Sequence, residues 1–175
     1  MSASPSSTLS PWFLRSIVVR GHQRGGALLG FPTANMFLRE DTIEHLSAME
    51  NGVFFGWGAV EKSGDEVLPV VLSVGHNPHF ADKAVTVEVH IVKKFTADFY
   101  GATMRILVLG KLRDQKKYTG VDALIEDIKN DVRTGIDNLG TEAAMAYKRS
   151  PLLSKPMPST EAPLFVGTVE KPSDL

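Results

Sequence analysis

The chain lacks several features that would narrow its function at once. It contains no cysteine, which excludes a disulfide framework, a thiolate metal site and a cysteine nucleophile. It has no excess of charge, because 19 Lys and Arg residues balance 20 Asp and Glu residues to a net charge of −1. We therefore expect neither a nucleic acid nor a membrane surface as a partner. The G-x-x-x-x-G-K-[ST] phosphate-binding loop is also absent, so any nucleotide chemistry must use another scaffold.

The length and composition predict one domain between two tails. A chain of 175 residues with 43% hydrophobic content is most simply a single domain. We predict a flexible tail over 1–11, the domain over 12–149 and a Pro-rich, extended or disordered tail over 150–175. A chain ending at Ser150 should then still fold and turn over its substrate, unless Leu164-Phe165-Val166 docks on the domain. The N-terminus lacks the apolar core of a signal peptide, so we expect a cytoplasmic location. The final Ser-Asp-Leu is at most a weak organellar signal. We also expect a monomer.

Hydrophobic patterning predicts a mainly β fold. Short runs rich in β-branched and aromatic residues, separated by glycine and proline turns, predict strands over 12–20, 36–38, 53–60, 67–74, 84–94 and 105–112. Apolar residues at steps of three and four predict one long helix from Val121 to Leu139, capped by Thr119 and ended by Gly140. A shorter helix, capped by Asp41 or Thr42, should precede the third strand. This order favours an antiparallel β-barrel with a helix packed outside it.

A glycine-rich stretch after the first strand suggests a phosphate site. The glycines between 21 and 26 allow backbone amides to approach a phosphate, and Arg24 can add a positive charge. Pro32 favours an extended segment in which Thr33 and Asn35 point to the same side. Hydroxyl and amide oxygens suit Mg²⁺ beside a nucleotide phosphate. The simpler interpretation is an ordinary turn that leads into a strand.

Glu88 is the most interesting carboxylate in the sequence. The valines at 85, 87 and 89 with Ile91 form one face of a regularly alternating strand, and Glu88 falls on the polar face. A carboxylate held there can take a proton from a substrate hydroxyl. The simpler alternative is a solvent-facing strand residue. The scattered histidines do not form a metal-ligand motif.

A third candidate group lies between the last strand and the long helix. Arg113, Lys116 and Tyr118 can hold a planar, polar ligand by charge, hydrogen bonding and stacking. The alternative is a solvated connector without a ligand.

Seven short motifs, in a fixed order from Trp12 to about Leu139, resemble the riboflavin kinase (flavokinase) family of the stand-alone eukaryotic type. The most specific is Leu-Gly-Phe-Pro-Thr-Ala-Asn followed by Glu-x-His-Ile. The motifs are Val19-Arg20-Gly21 through Gly25, Leu29 through Asn35, Asn51-Gly52-Val53-Phe54-Phe55-Gly56-Trp57, Ser73-Val74-Gly75-His76-Asn77-Pro78, Val87-Glu88-Val89-His90-Ile91, Asp98-Phe99-Tyr100-Gly101 and Gly110-Lys111-Leu112-Arg113.

The resemblance implies a six-stranded antiparallel, Greek-key-like barrel that transfers the ATP γ-phosphate to the riboflavin 5′-hydroxyl, giving FMN and ADP. It implies Glu88 as the catalytic base, and Thr33 and Asn35 as ligands of Mg²⁺, with Zn²⁺ or Mn²⁺ as alternatives, and of phosphate. The implied nucleotide-site residues are Gly21, Arg24, Thr33, Asn35, Ile91, Lys93 and Tyr100. The implied flavin-site residues are Arg113, Lys116 and Tyr118.

Some positions depart from the family pattern. Gln23 replaces a glycine of the phosphate loop, and Ala27 stands where many relatives have a lysine. Asp114 replaces a common proline, and Tyr118 a common phenylalanine. No segment precedes Trp12 that could hold an adenylyltransferase domain, so FAD synthesis is not expected. The alternative function is a non-catalytic barrel that binds flavin or delivers FMN.

Overall fold

The computed structural model describes residues 9–19, 33–49, 51–61, 66–76, 85–92, 100–154 and 163–172. Within these ranges the chain forms seven strands and four helices. The strands are β1 Trp12–Val19, β2 Ala34–Met36, β3 Gly52–Val60, β4 Leu68–His76, β5 Val85–Ile91, β6 Thr103–Arg113 and β7 Leu164–Val166. The helices are α1 Glu40–Ala48, α2 Val121–Leu139, α3 Glu142–Tyr147 and α4 Pro151–Ser154.

Six of these strands close into an antiparallel barrel. The sheet runs β2-β5-β4-β3-β6-β1-β7, and a further β1–β2 pairing closes the first six of these strands into a ring. Strands β3, β4 and β5 follow one another, and β6 returns beside β3, which is the Greek-key order. The predicted six-stranded barrel is therefore confirmed, with β7 added to the edge of β1.

The barrel interior is an apolar core supplied by alternate residues of each strand. Strand β5 alternates regularly between buried and half-buried positions, as the sequence pattern predicts. Its buried residues join those of the other strands and of α1 in one cluster, whose members include Leu14, Leu46, Phe54, Leu72, Val87, Val89 and Ile106. Because the interior is filled by these side chains, most polar residues of the same strands lie on the outer face, although Ser16 of β1 is buried.

A second apolar layer joins the outside of the barrel to the helices that follow β6. Phe55, Trp57 and Leu107 lie on the outer face and pack against residues of α2, α3 and α4. The Trp57 indole N–H donates to the carbonyl oxygen of Ala144 at 2.9 Å, which satisfies the one polar atom of a buried ring. Gly135 of α2 is buried against the barrel. A Cβ atom at this position would lie 3.1 Å from Cγ2 of Val71, so glycine allows the helix to approach the barrel closely.

The bounds predicted for the long helix and its end at Gly140 are confirmed, but the predicted N-caps are not. The N-cap of α2 is Gly120 without a side-chain hydrogen bond, rather than Thr119. The N-cap of α1 is Arg39, also without one. A capping side chain does occur in α3, where the Thr141 hydroxyl accepts from the Ala144 amide at 3.2 Å. Residue type alone did not identify which terminus would be capped.

The segment predicted as an extended or disordered tail, 150–175, contains two ordered elements in the structure. Strand β7 pairs with Phe13, Leu14 and Arg15 of β1. This edge of β1 is available because the three-residue β2 pairs only with Val18 and Val19. Short helix α4 buries Leu153 in the outer layer. An apolar triplet thus suffices to pair with an open strand edge.

No helix within the described ranges is both long and apolar enough to cross a membrane.

Candidate active site

Three polar side chains lie side by side across neighbouring strands of the barrel. Asn35 of β2 is in register with Glu88 of β5. Glu88 is in register with Ser73 of β4 on its other side. Residues directly opposite one another in antiparallel strands project from the same face of the sheet. Asn35, Glu88 and Ser73 therefore form one polar row.

The polar row faces outward. The chain neighbours of each member, such as Val87 and Val89 beside Glu88, belong to the interior core. Since successive side chains alternate across a strand, Asn35, Glu88 and Ser73 lie on the outer face. Each is half-buried, so each is partly accessible to a ligand. Strands on both sides of β5 fix the backbone of Glu88, which gives its carboxylate a defined origin.

Two further nucleotide-site candidates lie near the Asn35 end of the row. Thr33 is exposed and directly precedes β2. Tyr100 is 39% exposed and precedes Gly101, whose positive φ of 82° makes a sharp turn. The Gly101 amide donates to the carbonyl oxygen of Val18 at 2.8 Å, next to the residue of β1 that pairs with Asn35. The structure thus brings Thr33, Asn35 and Tyr100 to the same end of the barrel.

The other nucleotide-site candidates are not brought to this surface. The Ile91 side chain is 5% exposed and belongs to the interior core, so only its backbone faces a ligand on the outside. Gly21, Arg24 and Lys93 lie outside the described residues.

The donor set near Asn35 fits a hard divalent cation bound together with phosphate. Thr33 and Asn35 contribute neutral oxygens, and the register sets a carboxylate, Glu88, beside Asn35. Mg²⁺ usually takes one or two protein oxygens and completes its shell with phosphate and water. Over the described part of the chain, no cluster of three His, Asp or Glu residues forms an all-protein metal site.

Arg113 continues the polar row toward the long helix. Val53 of β3 pairs with Ser73 on one side and with Arg113 on the other. Arg113 is held by Asp131 of α2, because its Nε and Nη2 each donate to a carboxylate oxygen at 2.8 Å. The side chains are only 20% and 9% exposed. The bond to Asp131 raises the pKa of Arg113 above its usual value.

The other two flavin-site candidates share one carboxylate of α2. The Tyr118 hydroxyl donates to Asp127 Oδ2 at 2.8 Å, and Lys116 Nζ lies 3.2 Å from the same oxygen. These two bonds lower the pKa of Asp127. Burial, with the hydrogen bond to Asp127, raises the pKa of Tyr118 to about 12. Both side chains are thereby oriented on one side of the connector, residues 114–118.

Four residues of this site were not identified from the sequence: Ser73, Gln115, Asp127 and Asp131. The two aspartates are four residues apart on α2, so they lie on one face of the helix. Asp131 also interrupts the apolar stripe between Ile128 and Val132, which is a signal that the sequence did offer. Ser73 and Gln115 had no comparable signal, because their contact joins positions 42 residues apart.

Comparisons with known proteins identify the family of this chain. The family model for Flavokinase, described as Riboflavin kinase, matches residues 8–139. A Riboflavin kinase of Pyricularia oryzae is 36% identical over 143 residues, which cover 73% of this chain and 72% of that protein. A Bifunctional riboflavin kinase/FMN phosphatase of Arabidopsis thaliana is 33% identical, over 84% of this chain but only 38% of that protein.

A solved structure matches over almost its whole length. The crystal structure of riboflavin kinase from Trypanosoma brucei has a TM-score of 0.73 and 35% sequence identity to this chain. The match covers 90% of this chain and 96% of that one. These matches define the chain as a small barrel enzyme of the kinase class. The chain belongs to the riboflavin kinase (flavokinase) family.

Proposed function

We infer that this chain transfers the γ-phosphate of ATP to the 5′-hydroxyl of riboflavin, giving FMN and ADP. Membership of the family supports this reaction. The polar row is the single structural observation that supports a site for it. A carboxylate flanked by two polar side chains on a fixed strand suits the activation of a hydroxyl. Arg113 lies three strand spacings from Glu88, or roughly 14 Å, which suits an elongated substrate.

Glu88 is the proposed general base. As the 5′-oxygen of riboflavin forms its bond to the γ-phosphorus, the bond from that phosphorus to the β–γ bridging oxygen breaks, and ADP leaves. The hydroxyl proton passes to the Glu88 carboxylate and later to water. Such proton transfer typically contributes about 10²- to 10⁴-fold to a rate. The remainder of the acceleration comes from positioning and from charge stabilisation at the phosphates.

Thr33 and Asn35 are the proposed protein ligands of a divalent cation, Mg²⁺ in preference to Zn²⁺ or Mn²⁺. Hard oxygen ligands and phosphates favour Mg²⁺. When bound, the cation neutralises negative charge on the β- and γ-phosphates. Tyr100, at the same end of the barrel, is exposed enough to contact the nucleotide. Of the remaining nucleotide candidates, Ile91 is proposed to act through its backbone alone.

Arg113, Lys116 and Tyr118 are proposed to hold the flavin ring. Asp127 fixes the phenol of Tyr118 at its hydroxyl, which leaves the ring face for stacking against a planar ligand. Arg113 likewise has its edge engaged by Asp131, so its planar face is the part suited to contact the ligand. The flavin would lie at the connector, with its ribityl chain reaching along the outer face toward Glu88.

A non-catalytic flavin-binding barrel is the less favoured alternative. Mere binding of flavin requires no carboxylate in the polar row, whereas phosphoryl transfer uses one. A monomeric state and a cytoplasmic location stay predictions from the sequence.

A turnover assay tests the proposed function. Purified chain with riboflavin, ATP and Mg²⁺ should form FMN and ADP in equal amounts, and omission of the metal should abolish product. Glu88→Gln, which keeps the side chain's size, should lower kcat by about 10²- to 10⁴-fold, so that a contaminating kinase is excluded. Absence of FMN with wild-type chain would contradict the proposed reaction. A kcat of Glu88→Gln within about threefold of wild type would contradict only the role of Glu88.

A further inference from the structure

Gln115 is the residue through which the connector reaches the polar row. Its side-chain Nε2 donates to the Ser73 hydroxyl oxygen at 2.6 Å. The same nitrogen lies 3.3 Å from the carbonyl oxygen of Val74 and 3.5 Å from that of Gly52. Carbonyl oxygens only accept hydrogen bonds, so the nitrogen of the amide must face them. The side chain therefore spans from the connector across the ends of β3 and β4.

The barrel has room for this amide because residue 75 is glycine. A Cβ atom at Gly75 would lie 2.8 Å from Gln115 Nε2 and 3.3 Å from its Cδ. Both atoms belong to the far end of a flexible side chain, which can move without shifting the strand. A methyl group at residue 75 would thus displace the side-chain amide of Gln115 without a change in the residue at position 115.

The connector is otherwise anchored mainly on the side of the long helix. Residues 114–118 have no regular secondary structure, and none of them makes a backbone–backbone hydrogen bond to another residue that the structure describes. Lys116 and Tyr118 are both bonded to Asp127 of α2. Asp114 pairs with Lys111 of β6, but the aspartate side chain is 81% exposed, so solvent screens this ion pair. Gln115 is the side chain that ties the connector to β4.

We propose that Gln115 is a positioning residue, which holds the connector against β4 in the position where the connector binds the flavin. Ser73 is the cross-strand neighbour of Glu88, so the amide of Gln115 bonds to the strand position beside the proposed base. The inference rests on the proposed function. It adds a residue that touches neither phosphate nor the reacting hydroxyl, and that acts through the connector.

A change in the KM for riboflavin without a change in the KM for MgATP distinguishes positioning from a general structural role. Loss of about one to two hydrogen bonds, each worth roughly 1 kcal/mol, predicts that Gln115→Ala raises the KM for riboflavin about tenfold. The KM for MgATP should stay within about twofold, because the nucleotide candidates lie at the other end of the polar row. Lys117→Ala is the matched control, since Lys117 is exposed on the same connector and makes no side-chain hydrogen bond or ion pair within the part of the chain that the structure describes. It should leave both KM values unchanged.

A second variant tests the same contact by another route. Gly75→Ala should raise the KM for riboflavin as Gln115→Ala does. In the Gln115→Ala background it should add less than about twofold, because the contact is already lost. Multiplicative effects of the two substitutions, close to a hundredfold together, would overturn the inference.

The results separate this inference from the proposed function. A wild-type chain that forms no FMN would overturn the proposed function and this inference together. With an active wild type, equal riboflavin KM values in Gln115→Ala and Lys117→Ala would overturn this inference alone. Riboflavin affinity from flavin fluorescence, which needs no turnover, should be weaker in Gln115→Ala than in Lys117→Ala. Equal affinities, or KM values for both substrates that rise by the same factor, would also overturn it.

Discussion

The polar row and the connector place their side chains by different physical means. Asn35, Glu88 and Ser73 are set by strand register, so the backbone hydrogen bonds of three neighbouring strands fix their spacing. The connector has no strand or helix of its own, and its side chains are held by one carboxylate of α2, Asp127, and by the bond from Gln115 to Ser73. The proposed chemistry thus lies on a rigid surface, while the proposed flavin contacts lie on an adjustable one.

This difference predicts which substitutions each region tolerates. A side chain of the polar row can be changed without loss of the backbone pairing that positions its neighbours. On the connector, removal of one carboxylate releases several groups at once, because the partner cation or hydroxyl is left without its acceptor. Substitutions in the row should therefore affect function more than stability, and substitutions of the α2 aspartates should affect both.

Asp131→Ala should have the largest effect on stability. It leaves the guanidinium of Arg113, which is 20% exposed, without its bidentate partner. Breaking a buried ion pair by removing one partner typically costs about 3–5 kcal/mol, and the partial exposure of Arg113 places the expected loss near the lower end. Urea denaturation of both proteins measures the loss of unfolding free energy.

Glu126→Ala is the matched control for that experiment, since Glu126 is an exposed residue of the same helix. It should change the free energy of unfolding by less than about 0.5 kcal/mol. A loss for Asp131→Ala no larger than that of the control would show that the connector does not depend on this ion pair.

Asn35→Ala should have a smaller effect that is confined to the nucleotide. Loss of one proposed oxygen ligand should weaken MgADP binding by about tenfold or more, equivalent to roughly 1.4 kcal/mol, with riboflavin affinity nearly unchanged. Calorimetric titration of each ligand measures both affinities. Equal weakening of MgADP and riboflavin would argue against separate sites for the two substrates along the row.

The smallest effect is expected in the titration of Tyr118. Burial and the hydrogen bond to Asp127 raise its pKa from 10.0 to about 12. The folded protein therefore holds this proton more tightly than the unfolded chain, and the resulting stability is present below pH 10 and lost as the pH rises toward 12. Ultraviolet titration of phenolate absorbance should show a step near 12 that is missing in Tyr118→Phe. A step near the ordinary value instead would mean that the connector is open to water.

The sequence predicted the parts of the site that depend on local pattern. Strand β5 alternates so regularly that the outward position of Glu88 follows from the sequence alone. The apolar spacing of α2 likewise predicted both ends of the helix. Local pattern is sufficient there because each side chain's direction is set by its neighbours in the chain.

The sequence could not predict which strands would meet. Asn35 and Glu88 are adjacent only because β2 closes the barrel against β5, and this pairing depends on the whole topology. The same limit applies to β7, whose place on β1 depends on the shortness of β2. Contacts across the connector, such as that of Gln115 with Ser73, need the positions of β4 and β6 together. The family resemblance supplied part of this information, but not the contacts of Gln115, Asp127 and Asp131.

The central claim is that the polar row performs the chemistry while the connector holds the flavin. The most direct measurement compares riboflavin affinity, from flavin fluorescence, with the single-turnover rate at saturating riboflavin and MgATP in two variants. Glu88→Gln should keep its riboflavin affinity within about threefold while its single-turnover rate falls about 10²- to 10⁴-fold. Gln115→Ala should show the reverse, with affinity weakened about tenfold and a rate within about threefold of wild type. If both variants lose affinity and rate in the same proportion, chemistry and flavin binding are not separated between the polar row and the connector, and the account is contradicted.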